Sequence, residues 1–113
     1  MAKRRCFSID LIESIDFRKL SNEAINLYFG LMAHADDEGV VINPSIPLCL
    51  FKIDENTITE LIEKGFLLTL KDLLIIRHWH VHNKIQSSKK TKSTYTEELS
   101  ALCINNRKEY DFL

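Results

Sequence analysis

Proline and glycine are scarce, two and three residues in a chain of 113, which excludes a collagenous, linker-like or low-complexity protein. The three cysteines, Cys6, Cys49 and Cys103, are too few and too far apart for a disulfide framework. With no CxxC pair, a thiolate zinc site is also excluded. No apolar run approaches the roughly 20 residues that span a bilayer. The basic start MAKRRCFSIDL has neither the apolar stretch nor the cleavage site of a secretory leader. Neither sign of charge is in excess: 15 basic residues stand against 16 acidic ones, a formal net of -1, so bulk electrostatics favours neither a membrane nor a nucleic-acid partner. Gly30, Gly39 and Gly65 are isolated, which leaves no phosphate-cradling loop, and no Ser/His/Asp set sits in a motif context. The expectation is one compact soluble domain in a reducing cytoplasm, with no catalytic residue, no cofactor and no enzyme activity.

Periodicity supplies the elements. Ser21 to Ala35 (SNEAINLYFGLMAHA) repeats apolar residues at spacings of three and four, with Ser21 as N-cap and Leu20 and Ile25 as a hydrophobic staple, and so predicts a helix. Asp36, Asp37, Glu38 and Gly39 break it. The triplet of carboxylates suggests a cation site, but a helix-ending turn closed by Gly39 is the simpler reading. VVIN (40–43) reads as a short strand and PSIPLCLF (44–51) as a short helix. IDENTITELIEKGF (53–66) predicts a helix with Asp54 as N-cap and Gly65 as stop. FLLTL and LLIIRHW, separated by Lys71-Asp72, predict a β-hairpin. Helix, strand, two helices and hairpin in that order predict an α+β winged helix, the helix-turn-helix variant closed by a hairpin wing. The domain is expected over residues 1–94. YTEELSALCI, with Leu99, Leu102 and Cys103 on one face, predicts an additional C-terminal helix over 95–113, packed on the domain or on a partner.

Two features stand out as candidate sites. In IIRHWHVHN, taken as the last wing strand and its exit turn, His78, His80 and His82 would share one face, a spacing able to converge on zinc. No carboxylate or thiolate lies nearby in sequence to complete such a site. A structural role for His78, His82 and Asn83 in the exit turn is therefore expected, with Trp79 in the core and no metal. The second feature is charge segregation. From Arg77 to Lys92 the chain carries Arg77, Lys84, Lys89, Lys90 and Lys92 with no carboxylate, a net of +5, and Lys3, Arg4 and Arg5 add three. Gln86 and neighbouring hydroxyls are suited to phosphate oxygens. A phosphate-gripping surface and a merely solvated basic loop both fit this pattern. By contrast the helix expected over 54–65 holds Asp54, Glu55, Glu60 and Glu63 against Lys64, a net of -3 that disfavours its entry into a DNA groove.

The segments AKRRCFSIDLIES, LYFGLMAHADDEGVVINP, LIEKGFL and IIRHWHVHNKIQ, spread over about residues 3 to 98, resemble the N-terminal domain of phage replisome organiser proteins, relatives of the DnaD-type replication initiation proteins. The resemblance implies a winged-helix domain that helps to start DNA replication in the bacterial cytoplasm. Its implied partners are double-stranded origin DNA, further copies of itself, and helicase-loading proteins recruited through a region beyond Leu113. It favours the phosphate-gripping reading of Lys3, Arg4, Arg5, Arg77, Lys84, Gln86, Lys89, Lys90 and Lys92. The family pattern includes His78, Trp79, His82 and Asn83 but not His80. It departs after Asn83, where SSKKTKS stands in place of a KDR sequence and a proline.

Overall fold

The computed structural model describes residues 4–83 and 93–113. The chain opens with two single helical turns, α1 (Ile9–Ile12) and α2 (Ile15–Arg18), capped by the hydroxyls of Ser8 and Ser14. Helix α3 (Asn22–His34) is the centre of the core. Its N-cap is Ser21, whose hydroxyl accepts from the Ala24 N–H, and Leu27, Tyr28, Leu31 and Met32 are fully buried. The Ser21 cap is itself held, because Glu60 accepts from both the Ser21 N–H (2.8 Å) and the Ser21 hydroxyl (2.7 Å).

The turn after α3 reads as the sequence predicts. Asp36 Oδ1 accepts from the N–H groups of Glu38 and Val40, and Gly39 adopts φ +89°. Strand β1 (Val40–Val41) follows, then α4 (Ser45–Phe51) and α5 (Asn56–Glu63). Asp54 precedes α5 by two residues; its carboxylate accepts from the Asn56 N–H and forms an Asx turn at the helix entrance. Gly65, at φ +83°, ends the segment. Strands β2 (Leu67–Leu70) and β3 (Leu73–Ile76) then form a hairpin in which Lys71 and Asp72 both have positive φ, as a two-residue type I′ turn demands. β3 lies between β1 and β2 in an antiparallel sheet, with Val40 opposite Ile75 and Leu67 opposite Ile76. The hydrophobic faces of α3, α5 and this sheet make one core.

Two expectations require correction. The strand was expected to run through Trp79, but it ends at Ile76, and Trp79–His82 is a helical turn, α6. The C-terminal helix expected over 95–113 is a single turn, α7 (Thr96–Leu99), followed by a second hairpin of β4 (Leu102–Ile104) and β5 (Tyr110–Phe112). The hairpin forms because Asn105 organises its turn: its carbonyl oxygen accepts from Arg107 and Glu109 N–H, and its amide donates to the Glu109 and Asp111 carboxylates. Leu102 and Tyr110, from opposite strands, are buried. The Tyr110 N–H donates to the Arg77 carbonyl and joins this hairpin to the main body. Among the described residues, no helix is long and apolar enough to cross a membrane.

Gly39 lies directly beneath Trp79. A Cβ placed there would be 2.7 Å from Trp79 Cγ, at a φ that L-residues avoid. Gly39→Ala is expected to lower the unfolding free energy by about 2 kcal/mol or more, read as a reduced urea midpoint.

Candidate nucleic-acid interface

The segment Arg77 to Asn83, expected to border the DNA-contacting surface, is a junction at which the N-terminal segment, the turn after α3 and the C-terminal hairpin meet. Trp79 is buried at 1% exposure, and its indole N–H donates to the Asp37 carbonyl at 3.0 Å. This places it in the core, as the sequence predicts. Arg5 lies over the ring, with its guanidinium carbon 5.0 Å from the ring centroid. The same guanidinium donates to the Ala35 carbonyl (2.7 Å) and pairs with the Asp37 carboxylate (3.3 Å), both side chains being almost wholly buried.

The three imidazoles engage three different neighbours, because a helical turn separates what a strand would have aligned. His82 Nδ1 accepts from the Ser8 N–H at 2.7 Å, so the neutral ring carries its proton on Nε2, 2.8 Å from the Tyr28 hydroxyl. Burial pushes the His82 imidazole down to about 4, and the nearby His78 acts in the same direction. His78 Nε2 lies 3.0 Å from Glu109 Oε2. Burial lowers the His78 pKa and outweighs the opposing pull of Glu109. Burial works against ionisation of Glu109, yet Asn105, His78 and Arg77 hold its carboxyl below the usual range. The Tyr110 hydroxyl donates to the Glu38 carbonyl at 2.7 Å, and His80 Nε2 lies 3.0 Å from the Tyr110 hydroxyl oxygen. Asn83 accepts the Cys6 N–H at 2.8 Å. The sequence assigned His78, His82 and Asn83 to the exit turn itself; instead His82 and Asn83 hold residues 6–8, His78 holds the second hairpin, and Asn83 has extended backbone. Among the described residues, no group of three or more His, Cys, Asp or Glu side chains is placed to hold a metal ion.

The candidate DNA-contacting residues divide into three groups. Lys3, Lys84, Gln86, Lys89, Lys90 and Lys92 lie outside the described residues. Arg4 is exposed. Arg5 and Arg77 are paired with acidic side chains of the fold, Arg5 in a nearly buried pair as above, and Arg77, partly exposed, through Gly65 O (3.3 Å), Glu109 (3.4 Å) and Asp111 (4.0 Å). Sequence reasoning missed these assignments because the acidic partners, Asp37 and Glu109, are 32 residues from the arginines they face. The residues flanking the basic segment are fixed. Asn83 is buried against the N-terminal segment, and the Ser93 N–H donates to Glu38 Oε2 at 3.1 Å, one residue from the Asp37 that binds Arg5. The outer surface of α5 presents Asp54, Glu55 and Glu63, with Asn56 and Thr59 also exposed near its start. Glu60 is committed to Ser21: the Ser21 N–H first, then its hydroxyl, hold its carboxyl below the usual range. Comparisons of the chain with family models, with curated proteins and with solved structures found no match.

Protonating His82 would set an N–H on Nδ1 against the Ser8 N–H. The unfolded chain takes up this proton near pH 6.5 and the folded chain only near 4. The unfolded state therefore binds more protons across that window, and the His82 contribution to stability declines as pH falls from about 6.5 towards 4. His82→Asn, which keeps an acceptor and does not titrate, is expected to have a shallower dependence of urea-unfolding free energy on pH in that window than the parent chain.

Proposed function

We propose that this chain is a winged-helix domain of a phage or prophage DNA replication initiation protein of the replisome organiser type, acting in the cytoplasm of a bacterial host. In this reading it grips double-stranded DNA of an origin region through phosphate contacts and assembles with further copies of itself. The fold half of the proposal is supported by the succession α3, β1, α4, α5, β2, β3 and by the sheet order β1-β3-β2. A strand contributed between the first and second helices of the core, paired with the returning arm of a terminal hairpin, is what a helix-turn-helix core closed by a wing requires.

The observation that carries the DNA half is the common anchoring of the two cationic stretches. The Asn83 side chain, from which the chain enters residues 84–92, holds Cys6; Glu38 holds Ser93 at the other end; and Asp37 holds Arg5. Arg4 and the residues that flank the lysine-rich segment, Asn83 and Ser93, are thereby tied to one corner of the fold. Cations clustered in the sequence without a carboxylate, as from Arg77 to Lys92, favour a salt-dependent grip on phosphate with little reading of sequence. The acidic outer face of α5 makes that helix an unfavourable groove reader. Helicase-loading proteins are a further partner in this reading.

A second reading, a protein-interaction or oligomerisation module without direct DNA contact, is favoured by one observation: Arg5 and Arg77 are consumed internally. The two readings separate in a salt titration. Changing Lys84, Lys89, Lys90 and Lys92 together to Ala is expected to weaken duplex binding by about tenfold or more at low salt. It is also expected to flatten the slope of log affinity against log salt by roughly three to four. An unchanged affinity and slope would reject the DNA reading. Arg77→Ala is expected to leave that slope unchanged and to act on the urea midpoint instead.

A further inference from the structure

The run from Gly39 to Phe51 contains no charged side chain, and it is the longest such run in the chain. Pro47 and Leu48 of α4 turn into the protein. On the outside, Ile46, Cys49 and Leu50, with Ser45, line a shallow open trough of about 400 Å³. Leu50 is 66% exposed and Ile46 46%, and Ile42 and Phe51, on either side in sequence, are 56% and 45% exposed. Phe51 cannot retract further, because its ring already lies against the backbone of Gly30 on α3. Together these side chains leave on the order of 400 Å² of apolar surface in water, within the range of the largest apolar patch on a single chain, which is often functional.

We propose that this α4 face is where a second copy of the chain docks, across a two-fold axis passing close to Cys49. The proposal deepens the self-association part of the reading above by assigning it a surface, and it requires no DNA. Charge identifies the occupant. Near a two-fold axis each residue meets its own copy, so a self-docking surface must be free of like charges. The acidic outer face of α5 fails that condition and the basic stretches fail it with the opposite sign, whereas α4 satisfies it. Size agrees as well. Two such patches bury roughly 800 Å², enough for the apolar centre of an interface of standard size, about 1,200–2,000 Å², with polar neighbours as its rim. A partner of strong charge has nothing on this face to pair with.

Static light scattering of the full chain, without DNA, between micromolar and high micromolar concentrations is the test. The parent is expected to approach the mass of two copies. Leu50→Glu, at an exposed position, is expected to weaken association at least tenfold with an unchanged circular dichroism spectrum. In a chain carrying Cys6→Ser and Cys103→Ser, mild oxidation is expected to give a Cys49–Cys49 dimer. This second readout needs no substitution on the α4 face. A parent that stays at the mass of one copy throughout overturns the proposal. So does a dimer that withstands Leu50→Glu and does not crosslink through Cys49; that outcome keeps self-association and removes this surface. Loss of DNA binding in the lysine variant with an intact α4 dimer would bear on the DNA reading alone.

Discussion

A carboxylate buried beside an indole must be given a cation, and Arg5 reaching across to Asp37 meets that requirement. The contact fixes more than a charge. Arg5 also covers Trp79 and donates to the carbonyl at the end of α3, so the N-terminal segment is bound to the face formed by the turn after α3 and by α6. Removing one partner alone would leave the other charge buried and unpaired, which is far more costly than the net worth of the pair. Trp79 in turn needs Gly39, because only a residue without Cβ leaves room for the ring at a positive φ. Arg5, Asp37, Gly39 and Trp79 are therefore one packing unit drawn from three parts of the chain.

Around that unit the polar side chains act as ties between segments. His82 and Asn83 receive the N–H groups of Ser8 and Cys6; Glu38 receives that of Ser93; Tyr110 reaches the Glu38 carbonyl. Each tie satisfies a backbone group that would otherwise be short of a partner near the core. They also fix Asn83 and Ser93, the described residues on either side of the basic segment, against Cys6 and Glu38.

Much of the main body was legible beforehand because its signals are local. Ser21 caps α3, Gly65 ends the α5 segment, and Lys71-Asp72 turns the first hairpin, each through backbone conformations that depend on a few neighbouring residues. The two errors arose where local signals were ambiguous. RHWHVH alternates as a strand does, yet the N–H groups of His82 and Asn83 return to His78 and Trp79 and close a helical turn. LSALCI carries helical spacing, but the Asn105-Asn106 pair following it is a turn signal, and alternation in LCI and YDF was the available clue to a hairpin.

By itself the sequence determined α3, α4 and α5, the short strand β1, the first hairpin and the separation of charge along the chain, since capping, periodicity and composition act over a few residues. It also determined that Trp79 belongs inside, because a large apolar ring in an apolar run gains most from burial. Only the tertiary structure decided which charges remain available. Arg5 and Arg77 look like free cations in sequence and are not, since Asp37 and Glu109 approach them only when distant segments pack. The histidines follow the same rule. Their spacing suggested a shared metal, and their fate was set by Tyr28, Glu109 and Tyr110, partners between 30 and 54 residues away whose proximity is a property of the folded core.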